Sequence, residues 1–282
     1  MKIPKGGIGF FDSGIGGLTV LSTCEKYIKN EIFYYYGDNK HAPYGNLSNA
    51  QIRRYVYAAI RKFRRLKAKA IVLGCNTATA VCVEALRKKY SVPIIGAEPS
   101  VMTAAKNGGL IFVLVTRATY ESRRFQELCA RTIKMYPLAQ VCAFACDGLA
   151  GAIEENLTKK NFDYRQYLPR GEPDAVVLGC THYIYIKEEI EKNYRCPTYD
   201  GNDGIAKQLV NCLHEAEKNP PKMKKSRVLR PRLTTCQKNK QKPNKSSSKN
   251  NKKQQKTEPL KMLFFLGKSR GRNKNAHEQM FV

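Results

Sequence analysis

Two short stretches, 105 residues apart, constrain this chain more than any other feature. The first is Ala70-Ile71-Val72-Leu73-Gly74-Cys75, followed by Asn76-Thr77-Ala78-Thr79. The second is Ala175-Val176-Val177-Leu178-Gly179-Cys180, followed by Thr181-His182. Each is an apolar run that stops at Gly-Cys and then turns polar. A short apolar run without alternation predicts a strand buried on both faces, hence a parallel sheet. In open parallel sheets ligands sit beyond the carboxyl ends of the strands, where both cysteines fall. Recurrence at this interval predicts a duplicated α/β unit, because solenoid repeats recur every ~20–50 residues.

The remaining segments fit the same scheme. Apolar runs predict strands over residues 7–11, 31–36, 70–73 and 92–96, and again over 109–115, 139–145, 175–178 and 196–199. Helical patterns cover 49–66, 77–90, 120–134 and 203–217. Val92-Pro93-Ile94-Ile95 has its own echo in Cys196-Pro197-Thr198-Tyr199. The expected fold class is α/β: two pseudo-symmetric, doubly wound (flavodoxin-like) domains with the active site in the cleft between them. Residues 1–97 plus 205–282 form the expected first domain and 98–204 the second. Residues 260–266 return to strand character and need a sheet to join, most simply that of the first domain; 272–281 can be a helix. The first strand runs into Asp12-Ser13-Gly14-Ile15-Gly16-Gly17. Such a turn can offer N–H groups to an anion, but its spacing is not that of a dinucleotide fold and it lacks a Walker lysine. The other reading is a tight βα turn capped by Asp12.

Cysteine usage and charge narrow the function classes. Ten Cys include no C-x-x-C pair, which argues against zinc and thioredoxin-type chemistry. Free thiols in a chain of this kind suggest a reducing cytosol. Cys142 and Cys146 lie in an apolar run and read as buried small hydrophobes. Residues 1–7 have no leader-like apolar region and no apolar run reaches membrane length, so the reading is a soluble, cytoplasmic protein without membrane contact. The net charge of +27 is concentrated: 15 of the 50 Lys and Arg lie in 218–256, which has no Asp or Glu. With Pro220, Pro221, Pro243 and Ser246-Ser247-Ser248, that segment cannot bury a core and is expected to be a disordered insert. A basic, aromatic-poor run attracts phosphate without reading bases, so weak non-specific nucleic-acid binding through 218–256 is one expectation. A nucleic-acid-binding protein acting through the insert is the non-enzyme alternative; a solvated linker is favoured.

Two thiols at matched strand ends suggest one chemistry above others. Placed on opposite faces of one substrate carbon, they form a two-base racemase: one thiolate removes the proton from Cα, and the other thiol returns a proton to the opposite face. This needs no cofactor in principle, and no cofactor or metal motif is present. Asn76, Thr77, Thr181 and the loop N–H groups are candidates to hold a carboxylate. His182, two residues after Cys180, reads as its acid–base partner, the alternative being a hydrogen-bonded structural histidine.

Phe11-Asp12-Ser13-Gly14-Ile15-Gly16-Gly17-Leu18, Gly37-Asp38 with Pro43-Tyr44-Gly45, Cys75-Asn76-Thr77-Ala78-Thr79 and Gly179-Cys180-Thr181-His182-Tyr183 occur in this order within residues 8–205. Together they resemble the glutamate racemases of the aspartate/glutamate racemase family. The resemblance implies cofactor-independent interconversion of L- and D-glutamate, supplying D-glutamate for peptidoglycan, by a protein expected to be a homodimer. It implies Cys75 and Cys180 as the acid–base pair, with Asp12 as partner of Cys75 and His182 as partner of Cys180. Substrate contacts are implied for Asp12, Ser13, Tyr44, Gly45, Asn76, Thr77, Thr181 and His182. Glu154 stands where the family has a carboxylate supporting the histidine, although Ala150-Gly151-Ala152 before it departs from the usual larger residues. The insert 218–256 is a second departure. An aspartate racemase or related isomerase of the same family is the alternative within this class.

Overall fold

The computed structural model describes residues 6–157, 162–218 and 261–266 of the 282. The first half runs β1 (Ile8–Asp12), α1 (Gly17–Tyr27), β2 (Ile32–Gly37), α2 (Asn49–Arg65), β3 (Ala70–Leu73), α3 (Asn76–Lys89) and β4 (Ile94–Gly96). After a short α4 (Val101–Ala104), the second half runs β5 (Gly109–Val115), α5 (Arg117–Tyr120), α6 (Arg123–Met135), β6 (Ala139–Ala145) and α7 (Leu149–Asn156). It ends with β7 (Ala175–Leu178), α8 (Lys187–Tyr194), β8 (Thr198–Tyr199), α9 (Asn202–Lys218) and β9 (Lys261–Leu266). The eight strands expected in the two halves are all present, shifted by a residue or two at their ends.

Two parallel sheets result, ordered β4-β3-β1-β2-β9 and β6-β5-β7-β8. Reversed, the second reads β8-β7-β5-β6, the order of the first without its edge strand. Each half therefore winds the same way, and β1, β3, β5 and β7 occupy equivalent places. β9 pairs in parallel with β2, from Ile32↔Lys261 to Gly37↔Leu266. The strand after the insert thus joins the first sheet. Apart from Lys218, which ends α9, the expected insert and the expected helix over 272–281 lie outside the described residues.

Burial follows from the alternation of helices across each sheet. On one face of the first sheet α2 places Ile52, Val56, Ile60 and Phe63 in the core with Phe11, Ile71 and Leu73. Spacings of four, four and three put these side chains on one helical stripe, and each contributes roughly 1.5–3 kcal/mol by leaving water. A capping box starts this helix: Ser48 Oγ accepts from Gln51 N, and Gln51 Oε1 accepts from Ser48 N. On the other face Val20 and Leu21 of α1 pack with Ile205, Ala206 and Leu209 of α9. In the second half, the continuous helix expected over 120–134 is broken. Thr116 caps α5 and Ser122 caps α6, each accepting a backbone N–H three residues on.

Cys146 is buried as expected, but Cys142 is exposed. β6 is the outer strand of its sheet, so neighbours cover it on one side only, and an apolar sequence run there does not guarantee burial.

Candidate active site

The candidate groups lie at the carboxyl ends of the central strands of both sheets. Asp12 ends β1, Cys75 follows β3, and Cys180 follows β7. In each sheet the chain leaves its first strand in one direction and returns on the other side, which opens a crevice at the strand ends. Asp12 and Cys75 flank that crevice in the first half; Thr116 and Cys180 flank it in the second.

Cys75 is the N-cap of α3, and its sulfur accepts from Ala78 N at 3.4 Å. Burial pushes its thiol up to about 12; the Asp12 charge and the nearby Cys180 add to the rise, while the Ser13 hydroxyl and the Ala78 N–H oppose it. Asn76 and Thr77 occupy the first turn of the same helix and are buried.

Asp12 is fully buried. Its Oδ1 accepts from Gly14 N at 2.9 Å and its Oδ2 from the Thr181 hydroxyl at 3.2 Å. Burial raises its carboxyl above the usual range, against the lowering effect of the His182 charge and these hydrogen bonds. Asp12 is not a helix cap, because the N-cap of α1 is Gly16 and no side chain caps this helix. The glycines after Asp12 serve close approach across the lobes. A Cβ on Gly16 would meet Thr181 Oγ1 at 2.4 Å, and one on Gly14 would meet Glu154 Oε1 at 2.9 Å and His182 Nε2 at 3.1 Å. Two tyrosines pin this loop from both sides: Tyr35 OH donates to Gly14 O at 2.7 Å, and Tyr185 OH to Ile15 O at 3.1 Å.

On the second lobe, Cys180 leads into a 3₁₀ turn, Thr181–Ile186. Cys180 Sγ lies 3.8 Å from His182 Nδ1, and His182 Nε2 lies 3.2 Å from Glu154 Oε2. The imidazole is almost fully buried while the Glu154 side chain is 24% exposed. Burial pulls the His182 imidazolium down, but Cys180, Glu154 and Asp12 together hold it well above its ordinary value. The Glu154 carboxylate, the buried His182 ring and the Cys180 sulfur thus stand in one line of contacts.

The remaining candidates surround these groups. Tyr44 is buried, but its hydroxyl is committed to Asp38 Oδ2 at 2.6 Å. His41 Nδ1 holds the same carboxylate at 2.9 and 3.0 Å. Gly45 packs on Thr116, where an added Cβ would meet Thr116 Cβ at 3.1 Å. Thr116 is a residue that sequence reasoning missed: its hydroxyl sits 2.8 Å from that of Thr77 and 3.0 Å from that of Thr119. The signal was available, since β5 is the counterpart of β1 and Thr116 follows it as Ser13 follows Asp12.

A groove of about 890 Å³ does not open on the thiols. It lies between the start of α2, α3 and the α5–α6 corner, and of the candidates only Gly45 lines it. Proton transfer at carbon requires the acid–base groups, so the thiol cluster and not this groove is the candidate reaction centre. Among the described residues no group of three or more His, Cys, Asp or Glu is placed to hold a metal ion, and no helix is long and apolar enough to cross a membrane.

Comparison with known proteins agrees with this fold. The sequence pattern of the Asp/Glu/Hydantoin racemase family matches residues 19–209. A glutamate racemase of Clostridium novyi is 38% identical over 225 residues, covering 76% of this chain and 85% of that protein. Among solved structures, Escherichia coli glutamate racemase in complex with L-glutamate and the activator UDP-MurNAc-Ala superposes with a TM-score of 0.67 at 28% identity, covering 75% of this chain and 83% of that one. Francisella tularensis glutamate racemase in complex with D-glutamate gives a TM-score of 0.63 at 29% identity, with 76% and 83% covered. With its duplicated sheets and strand-end thiols, this chain belongs to the Asp/Glu/Hydantoin racemase family and, within it, to the glutamate racemases.

Proposed function

We propose that the chain interconverts L- and D-glutamate with Cys75 and Cys180 as the two acid–base groups. The observation that carries this reading is the pairing of equivalent strand-end sulfurs, one from each sheet, each with its own charged neighbour. In one direction a thiolate takes the Cα proton and the substrate becomes a carbanion stabilised by its carboxylate. The opposite thiol then delivers its proton to the other face, and the configuration at Cα is inverted. No bond to sulfur forms and no electrons leave the substrate. Cys75, with its thiol near 12, is in the proton-donor form at neutral pH. Asp12 is a proton acceptor on its side, and the His182 imidazolium a proton reservoir 3.8 Å from Cys180 Sγ, with Glu154 behind it. Ser13, Asn76, Thr77, Thr181 and the Tyr44-Gly45 main chain supply hydroxyl, amide and N–H groups for the substrate carboxylates, while Asp12 attracts its ammonium. The D-glutamate formed supplies peptidoglycan, as in the family.

The test is racemisation of pure L- and pure D-glutamate followed by optical rotation, with L-aspartate as control. Cys75→Ser and Cys180→Ser should each lower kcat by about 10³-fold or more while the circular dichroism spectrum is unchanged, since positioned acid–base groups contribute about 10²–10⁴-fold each. Near wild-type turnover in either variant overturns the two-thiol assignment; faster conversion of aspartate favours the aspartate alternative. The domain division into 1–97 plus 205–282 and 98–204 is supported by the packing of α9 on α1 and of β9 on β2. A homodimer and weak nucleic-acid binding through 218–256 complete the proposal, checked by sedimentation and by deleting 219–256 before a salt titration.

A further inference from the structure

The outer side of α2 carries charge that the reaction does not use. Between Arg53 and Lys69 the chain has eight Lys and Arg and no Asp or Glu. Arg53, Arg54, Arg61, Lys62, Arg64, Arg65, Lys67 and Lys69 are all exposed, as are Arg87, Lys88 and Lys89 at the end of α3. Both helices return towards the amino ends of their parallel strands, so these two ends lie side by side. Contacts across the helices fix this: the Arg64 guanidinium is 5.0 Å from the Tyr90 ring centre and Lys89 Nζ is 5.0 Å from that of Tyr57. The two rings are 6.3 Å apart.

Helix-end neutralisation does not account for this cluster. A helix carboxyl end carries a partial charge of about −0.5, whereas the last turns of α2 and α3 hold three cations each. Acidic neighbours are few: Glu31 pairs with Lys69, and Glu84, one turn before Lys88, is engaged by Arg124 at 3.4 Å. Arg54, Arg61 and Arg65 lie on one stripe and span about 16 Å at 1.5 Å per residue. A nucleic-acid duplex presents one phosphate charge per ~1.7 Å of axis, so such a stripe meets several. An anionic bilayer fits less well, since the apolar face of α2 is committed to the core: Ile52, Val56 and Ile60 are 0% exposed and Phe63 1%. None of the large exposed apolar residues lies on α2 or α3, which leaves nothing to enter an acyl layer.

We propose that the outer face of α2 and the adjoining end of α3 bind the phosphate backbone of a nucleic-acid duplex. The densest part of this surface, where α2 and α3 end, lies at the amino edge of the sheet: Lys69 N donates to Gly7 O and Gly6 N to Leu66 O, while Asp12 and Cys75 stand at the opposite edge. Binding there leaves the thiol site open.

The experiment is a fluorescence-anisotropy titration of the full chain on a duplex of arbitrary sequence at several salt concentrations. Two non-overlapping variants are compared, Arg54→Gln/Arg61→Gln/Arg65→Gln and Lys88→Gln/Lys89→Gln. Any contribution of 219–256 is then the same in every arm. With a slope of about −0.9 per neutralised phosphate, the triple variant should lower the slope of log K against log salt by about 2–3 and weaken binding at low salt about tenfold or more. The double variant should do the same to a smaller extent, and both should racemise glutamate at the wild-type rate. Unchanged affinity and slope in both variants, or no duplex binding by the unaltered chain at low salt, overturns the proposal. So does loss of binding to anionic phospholipid vesicles in the variants with duplex binding intact.

Discussion

The Asp12→Asn substitution tests the electrostatics of the site most directly. The amide keeps the acceptor that takes the Gly14 N–H, and the Thr181 hydroxyl can rotate to accept from the new N–H₂, so the loop keeps its shape. What changes is charge. Burial is the largest cause of the raised Cys75 thiol, and Asp12 is the next. A neighbouring like charge moves a titration by about one unit or more, so the variant thiol should titrate about one unit below its wild-type value near 12. The comparison is made at pH 9, where alkaline conditions favour the carboxylate form of Asp12 against the raising effect of burial. At that pH a thiol titrating near 12 is about one part in a thousand thiolate, and a one-unit fall raises this about tenfold, or about 1.4 kcal/mol. The assay is iodoacetamide alkylation against pH, quantified on the Cys75 peptide by mass spectrometry. Catalysis should move the other way. Without its proton acceptor, Cys75 loses its capacity as a base, so kcat and one-directional deuterium exchange at Cα should fall mainly in the direction where Cys75 takes the proton, although kcat/KM must fall alike in both. An alkylation profile that stays put or moves up, or equal loss of exchange in both directions, refutes the reasoning.

Further outcomes follow from the other half of the site. His182→Asn should hurt mainly the direction in which Cys180 is the base, read by the same exchange assay. Because His182 titrates above its unfolded value of about 6.5, its protonation stabilises the fold fully below that pH, and this contribution is lost as pH rises through the folded value. The stability gap between wild type and His182→Asn, measured by urea unfolding, should therefore narrow on going to alkaline pH; a constant gap sinks the assignment of a charged imidazole. Thr116→Val removes the hydroxyl bonded to Thr77 and should cost about 0.5–1.5 kcal/mol of stability, with a raised KM for glutamate, by thermal unfolding and steady-state kinetics.

Much of this protein was legible in the order of its residues. Ala70–Leu73 and Ala175–Leu178 announce buried parallel strands because a strand covered on both faces has no polar positions to reveal alternation. Their matched Gly-Cys endings mark two equivalent strand edges, and the repeated order of parts predicts the two sheets that the fold contains. Local patterns also place α2 and α3 within a residue or two. What the tertiary structure decided lies in contacts between residues far apart in the chain. Asp12 meets Thr181 across 169 positions, and Tyr185 grips Ile15 across 170. No local propensity encodes such pairs, so the Asp12 loop looked like an anion turn or a helix cap until the second lobe was seen pressed against Gly14 and Gly16. Thr116 could be read from the repeat as the counterpart of Ser13, but its bond to Thr77, 2.8 Å away, is again a long-range contact that only the fold supplies. Cys142 shows the reverse case, an apolar run whose burial depends on having a neighbour on both sides of the strand, which only the strand order reveals.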